Sequence, residues 1–314
     1  MLAQIITPEA QTIARVEPTL SQLTDNFINS QDVKPSSKEL YRRTIKQYFN
    51  WIAETNIRLQ DITRVEVLQY KQALLDSGLS PLTVGSYITV VRKFYEWAEA
   101  NKYYPNVAKG IKTPRRKQQF KKQALTTDLG IELLKYFTDR ALRDNAIVNL
   151  LIRTGLRTIE VSRANIEDIT YKQGKRVLLV HGKGRDTKDS FVILTEKAYK
   201  PIKEYLDSRI GAKGGEPLFT STSNNSTGAR LSTRTISGVV KEGMRAIGLD
   251  SKEYTAHSLR HTTAVNILRA GGTTEDAQGV LRHSSPTTTQ IYTETIKEEM
   301  RIKNAPEELI DNIL

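Results

Sequence analysis

Leu281-Arg282-His283-Ser284-Ser285-Pro286-Thr287-Thr288-Thr289-Gln290-Ile291-Tyr292-Thr293 sets a histidine and a tyrosine nine residues apart. Ser285-Pro286 reads as a helix cap followed by the first helical residue. That start places Tyr292 about two turns along a short helix, expected over 286–292. Two further segments lie upstream: His257-Ser258-Leu259-Arg260-His261 and Thr154-Gly155-Leu156-Arg157-Thr158-Ile159-Glu160. Each is ordinary alone. Tyr292 is one of 13 tyrosines, and a free phenol, with a pKa near 10, is a poor nucleophile at neutral pH. An arginine at a helix start is common. The weight lies in their order along one chain, in local contexts that agree.

In that order the set resembles the tyrosine recombinase family, which includes phage integrases and Xer-type recombinases. The resemblance covers most of the chain and implies a reaction in which a tyrosine attacks a DNA phosphodiester and holds the cut end. Such a reaction needs a nucleophile, cations against the charge growing on the non-bridging oxygens, and an acid for the departing 5′ oxygen. A guanidinium is charged at neutral pH and its fork matches two phosphate oxygens, so arginines can serve without a metal. The resemblance implies that Arg157 is the first phosphate-binding arginine and Glu160 the acidic partner that orients it. Lys183, in His181-Gly182-Lys183-Gly184-Arg185, matches the hairpin lysine expected to protonate the 5′ oxygen; Arg185 and Lys188 are nearby substitutes. His257 would exchange a proton with the attacking phenol, Arg260 would be the second clamp, and His283 would hydrogen-bond the phosphate. Tyr292 would be the nucleophile. Arg282 departs from the pattern, because the family usually has glycine before this histidine, and the local backbone geometry is the point at issue.

Other readings of the same residues are weaker. His257 and His261 have the four-residue spacing of a zinc pair, but position 258 is Ser where a glutamate belongs. The G-x-x-x-x-G-K-[ST] spacing of a phosphate loop is absent around Lys183. Exchanging a phosphodiester for a phosphotyrosine conserves bond energy, so no ATP site and no cofactor are expected.

Bulk composition agrees. The chain has 314 residues, 38% hydrophobic and 26% charged, with a net charge of +12. Length suggests two domains of ordinary globular composition. The basic excess favours a polyanion, nucleic acid ahead of an acidic membrane surface. With no cysteine, disulfides and thiolate chemistry are excluded. No apolar run approaches the ~20 residues of a membrane span, and the first residues lack a signal-peptide pattern. A cytoplasmic, nucleoid-associated location is expected.

The fold expected is mainly α with a small antiparallel sheet. Residues 1–19 read as a flexible arm, with nothing resembling an additional arm-site-binding domain. Residues 20–108 read as a helical core-binding domain. There, Ser36 or Ser37 could cap a helix carrying Leu40, Tyr41, Thr44, Ile45, Tyr48 and Ile52 on one face. Ser80-Pro81 starts another, with Val84, Tyr87, Ile88, Val91, Phe94, Tyr95 and Ala98 as its stripe, and shorter helices are expected over 20–30 and 63–76. These aromatics suit a core better than base stacking. Residues 109–122 form a basic linker: Lys109, Lys112, Arg115, Arg116, Lys117, Lys121 and Lys122 occur with no acid among them. Pro114 resists helix, and the run suits tracking a phosphate backbone better than serving as a solvated loop. Residues 123–314 read as the catalytic domain. Its helices are expected over 126–138, 142–154, from 157, 195–210, 233–247, 258–270 and 274–281. Strands are expected over 166–170, 176–181 and 190–194, and a long polar loop over 211–228. The tail from 305 reads as a small amphipathic helix, and the resemblance implies that it docks on a neighbouring protomer rather than on its own domain.

The resemblance further implies a DNA clamp, four protomers on inverted-repeat core sites, a 3′-phosphotyrosine and a Holliday junction. It leaves accessory bending or directionality proteins possible, and a mobile genetic element as the source. Three alternatives are distinguishable: a type IB topoisomerase would relax plasmids without a specific site, a binding module would bind without cutting, and a metal-dependent nuclease or transposase would stop in EDTA.

Overall fold

The computed structural model describes residues 18–115, 123–181 and 187–282, and beyond them positions 292, 296, 301–302, 305, 307–311 and 313. The chain divides into two compact units, Met1–Gln119 and Phe120–Leu314.

The first unit is helical: α1 (Leu20–Asn29), α2 (Pro35–Glu54), α3 (Arg64–Asp76) and α4 (Pro81–Ala100). Thr19 caps α1, its hydroxyl taking the Gln22 N–H while the Gln22 side chain returns to the Thr19 N–H. Ser80 caps α4 through Thr83 N–H. Helix α2 starts earlier than Ser36 or Ser37: Pro35 takes the first turn, where a missing N–H costs nothing, and Lys34 precedes it without a side-chain cap. Leu40 lies on the exposed side of that helix, while Ile45, Tyr48 and Ile52 are buried. The aromatics are core. Phe27, Tyr48, Tyr70, Phe94 and Tyr95 are buried, Phe27 and Phe94 meet edge to face at 5.6 Å, and the Tyr48 and Tyr95 hydroxyls bond each other at 3.0 Å. That mutual bond satisfies two buried polar groups. Ala108 and Ile111 join the same core. The chain following α4 is therefore anchored to this unit, with Arg64 Nη1 donating to Lys109 O at 2.5 Å and Lys71 Nζ to Lys112 O at 3.2 Å.

In the second unit α6 (Leu142–Thr154) is central, packed by α5 (Thr127–Thr138), α8 (Glu196–Asp207) and α10 (Ala256–Arg269). Ala146, Ile147, Leu150 and Leu151 of α6 are buried in the main cluster. A three-stranded antiparallel sheet follows α7 (Thr158–Arg163), in the order β1 (Ile169–Lys172), β2 (Lys175–Val180), β3 (Ser190–Ile193). Its register pairs Ile169 with Leu178 and Val180 with Ser190. Gln173 (φ 48°) and Gly174 (φ 75°) make the tight turn between β1 and β2, the left-handed pair that matches strand twist. The strand expected over 166–170 is displaced. Ile166–Asp168 form a 3-10 turn, because the Asp168 carboxylate takes the Asn165 N–H at 2.8 Å and holds the chain in a cap before pairing begins. Helices α9 (Thr233–Ala246) and α11 (Thr274–Leu281) complete the unit, and a short α12 (Glu308–Asp311) lies near the end.

Candidate active site

Four chain segments meet at the end of α6. The first turns on Gly155, which ends α6 with a left-handed φ of 63°. Its N–H caps Leu151 O at 2.9 Å. The chain then runs through buried Leu156 to Arg157, which is extended and opens α7. Glu160, one turn on, is buried. Its Oε2 takes the Arg157 N–H at 2.7 Å and its Oε1 takes Arg157 Nη1 at 2.9 Å. The i, i+3 spacing thus lets one carboxylate cap the helix and orient the guanidinium. Arg157 keeps 30% of its side chain exposed, so it is held but still reachable.

The second segment is the start of α10. Ser258 Oγ takes the Thr255 N–H at 3.1 Å, fixing the helix start. Positions 257, 260 and 261 then share a face. Arg260 is only 1% exposed, the largest fully buried side chain in the protein among the described residues. Its Nη1 donates to Gly155 O at 2.5 Å and its Nη2 to Leu281 O. One buried guanidinium therefore ties the end of α6 to the end of α11. Burial, and next the nearby Arg157, push it down to about 9, while Glu160 supports its charge. It remains cationic at neutral pH.

The third segment is the end of α11. Arg282 takes the left-handed conformation, φ 55° and ψ 46°. This explains why glycine suits the position: a left-handed cap is easiest without a β-carbon. The backbone here keeps that cap although the residue is arginine. Its Nη2 donates to Glu160 Oε2 at 2.8 Å and its Nη1 to Val280 O at 2.8 Å. Glu160 is thus shared by two arginines.

The fourth is Tyr292, helical and 4% exposed, packed with Leu281, Ala264, Val265 and Ile296. Its ring meets His261 edge to face at 5.1 Å, and His261 meets His257 at 4.7 Å. Burial pushes the Tyr292 phenol up, and Arg260 and then Arg157 draw it back down. Both arginines therefore lie close enough to favour the phenolate.

The sequence-derived set is placed as follows. Arg157, Glu160, Arg260 and Tyr292 come together. His257 is exposed on the same helix, one turn before His261. Lys183, Arg185 and His283 lie outside the described residues, as do Arg116, Lys117, Lys121, Lys122 and most of 286–292. Lys109, Lys112 and Arg115 are exposed on the first unit. Lys188, a substitute for Lys183, is engaged elsewhere: its Nζ meets Asp168 Oδ1, buried beneath it, at 2.5 Å. Sequence reasoning misses two residues that the structure places in this cluster. His261 was weighed only as half of a metal pair, although its place one residue after Arg260 puts it on the inner face. Arg282 was seen only as a departure, although its separation from Glu160 by 122 positions leaves no local signal. Among the described residues no cluster of three or more His, Asp or Glu could hold a metal ion, and no helix is long and apolar enough to cross a membrane.

Residues 124–299 match the phage integrase family and residues 20–102 its N-terminal SAM-like domain. The chain belongs to the phage integrase family and is a tyrosine recombinase, a site-specific enzyme that breaks and rejoins DNA. It is 31% identical to tyrosine recombinase XerC of Pelobacter propionicus, over 84% of this chain and 86% of that one. It is 30% identical to tyrosine recombinase XerD of Staphylococcus haemolyticus, over 83% and 88%. Its fold is similar to that of the XerH site-specific recombinase bound to palindromic difH substrate in a post-cleavage complex. There the TM-score is 0.73 at 20% identity, covering 92% of this chain and 85% of that one.

Proposed function

We propose that the protein cuts and rejoins duplex DNA by transesterification, with Tyr292 as nucleophile, leaving a 3′-phosphotyrosine. The observation that carries this reading is the convergence of a buried tyrosine with two arginines, Arg157 and Arg260, which both favour its phenolate. The Tyr292 oxygen attacks phosphorus while the bond to the 5′ oxygen breaks. The phenol proton passes to His257, and Lys183 protonates the departing 5′ oxygen. Arg157 and Arg260 hold the non-bridging oxygens, with His283 as a further donor. The freed 5′ hydroxyl then attacks the partner strand's phosphotyrosine in the reverse sense, which produces a Holliday junction. The steps consume no ATP and need no metal, because guanidinium groups supply the charge.

Both units bind duplex DNA, and the basic residues of 109–122 track its phosphate backbone. The solved structures of XerH on palindromic difH and of a lambda integrase dimer on a COC' core site support reading the target as paired, inverted core sites. Four protomers would join two such sites. The tail supports exchange between protomers: Ile310 and Ile313 are exposed on and beside α12, apolar area suited to a neighbour's groove. A location with the nucleoid and an origin in a mobile element fit the same reading, and accessory bending or directionality proteins are compatible with it.

Covalent trapping tests it. The protein is incubated with a nicked, otherwise randomised duplex library, quenched in SDS, and the attached DNA is sequenced, beside a Tyr292→Phe control. Adducts lost in the control and sharing an inverted repeat are expected. Adducts without sequence preference would indicate a topoisomerase, and binding without any adduct would overturn the reaction proposed.

A further inference from the structure

We propose that Arg282 is a positioning residue of the reaction, acting through Glu160 on the phosphate-holding Arg157; the inference rests on the transesterification reading above. Three observations carry it. First, Arg282 sits in a left-handed conformation, φ 55°, that a β-carbon disfavours. The side chain must then contribute something that glycine would not. Second, what it contributes is specific. Its Nη2 reaches Glu160 Oε2 at 2.8 Å, and its side chain is 12% exposed against 1% for Glu160. An ion pair this buried is weakly screened and geometrically fixed. Third, the same carboxylate oxygen takes the Arg157 N–H, and its other oxygen takes Arg157 Nη1. Arg282 therefore adds a further bond to the carboxylate that holds Arg157, at the oxygen that also takes the Arg157 N–H, and the orientation of that carboxylate sets where the Arg157 guanidinium points.

The geometry also separates this role from direct contact with DNA. Both terminal nitrogens of Arg282 are engaged, one by Glu160 and one by Val280 O, whereas Arg157 keeps more than twice the exposure, 30%. Burial lowers the basicity of Arg282, and Glu160 supports its charge. Because Arg260 Nη2 holds Leu281 O next door, the link also joins the two arginine clamps through a second route. A displacement at Arg282 would reach both.

The test separates backbone from guanidinium. Arg282→Gly removes the side chain and relaxes the left-handed turn. Arg282→Lys keeps a charge but loses the planar fork. The duplex is the one recovered by the trapping selection, used with an ordinary scissile phosphate and with a methylphosphonate there, which lacks the charged oxygen that Arg157 would serve. On the ordinary phosphate, R282G should form adducts slower by on the order of 10- to 100-fold at saturating DNA, with DNA affinity unchanged and R282K intermediate. On the methylphosphonate its deficit should shrink toward parity with the unaltered protein. Equal rates of R282G and the unaltered protein on the phosphate would overturn the inference alone. So would a deficit of the same size on both DNAs, which marks a structural role only. No adduct from the unaltered protein would overturn the transesterification reading and this inference with it.

Discussion

A single methyl group at Gly155 should disturb both acceptors of the buried Arg260. Gly155 has φ 63°, and a β-carbon there would meet Leu281 Cδ2 at 2.5 Å and the Thr263 side chain at 3.4 Å. Gly155→Ala therefore carries two costs. The left-handed backbone costs about 1–2 kcal/mol, partly offset by about 0.4–1 kcal/mol from a stiffer unfolded chain. Crowding a packed core adds about 1–3 kcal/mol. The net is roughly 1–5 kcal/mol, and at about 2–4 °C per kcal/mol for a unit of this size the melting point should fall by about 2–20 °C. Gly174→Ala is the control. It has the same kind of backbone, φ 75°, with nothing within 4 Å of the added carbon, so it isolates the backbone cost. The functional effect follows from what is displaced. Gly155 O is one acceptor of Arg260, and Leu281, the residue pushed aside, supplies the other. Adduct formation at 20 °C, where G155A is still folded, should fall while G174A stays normal. Shortening the obstructing side chain should restore part of the loss: G155A with Leu281→Val should show a favourable coupling of about 0.5–2 kcal/mol against the sum of the single changes. Thermal unfolding followed by near-UV circular dichroism, with adduct rates on the selected duplex, measures all of this. If G155A and G174A melt together, the close approach to Leu281 is not what constrains the position and the reasoning fails.

Tyr292→Phe should abolish covalent adducts while DNA affinity, measured by fluorescence anisotropy, stays near that of the unaltered protein; a variant that still cuts would remove Tyr292 as nucleophile. Lys188→Ala should cost about 1–3 kcal/mol by leaving the buried Asp168 carboxylate short of a partner, whereas Lys183→Ala should slow cleavage without a comparable melting shift. A slow cleavage phenotype in K188A alone would reverse that assignment. For pH, burial pushes Arg260 well below the ordinary guanidinium range, to about 9, in the folded protein. Its charge is present below that value and lost as pH rises through it, so cleavage at limiting DNA should decline above about pH 9. Bound phosphate favours the cation, so the decline should move upward at saturating DNA; a profile flat to pH 11 at limiting DNA would contradict it. Cleavage should also proceed unchanged in EDTA, and its loss there would point to a metal-dependent enzyme.

Much of this was legible from local pattern. Ser80-Pro81, Thr126 and Thr273 begin helices where their side chains can take backbone N–H groups, and such caps are written within four residues. Gly174 is local in another way: the hairpin turn needs a left-handed backbone there, φ 75°, which glycine adopts without strain. Where the reading missed, the deciding contact was also short range but of a kind that pattern ranks poorly. Pro35 outcompeted Ser36 and Ser37 as the start of α2 because a fixed φ needs no capping oxygen, and Asp168 folded 166–168 into a cap before the strand could pair. The site divides along another line. The i, i+3 link of Arg157 to Glu160 and the shared face of His257 and Arg260 are helix geometry, readable in principle from spacing. The bonds from Arg260 to Gly155 and Leu281, and from Arg282 to Glu160, span separations of 105, 21 and 122 positions. No local preference encodes them.

Those long bonds also bear on how the proposed site could be poised. Arg157 and Arg282 share one carboxylate, Glu160, which also supports the charge of Arg260, so the described cluster sets three positive charges against one negative. Burial works against that surplus: it lowers the basicity of Arg260 and Arg282 and raises the phenol of Tyr292. In the free protein both trends favour neutral groups, so the tyrosine stays protonated and inert toward water-borne electrophiles. In the reaction proposed, a phosphodiester entering between Arg157 and Arg260 brings one negative charge, and the five-coordinate transition state brings a second. The balance then approaches neutrality at the moment of reaction and not before it. Stabilisation that grows as charge develops lowers the barrier, whereas stabilisation already complete in the free enzyme does not. The same balance holds for the reverse attack by a 5′ hydroxyl, since the transition state is common to both directions. An enzyme built this way gains nothing by driving cleavage to completion, and strand exchange is then governed by which 5′ hydroxyl is presented to the phosphotyrosine.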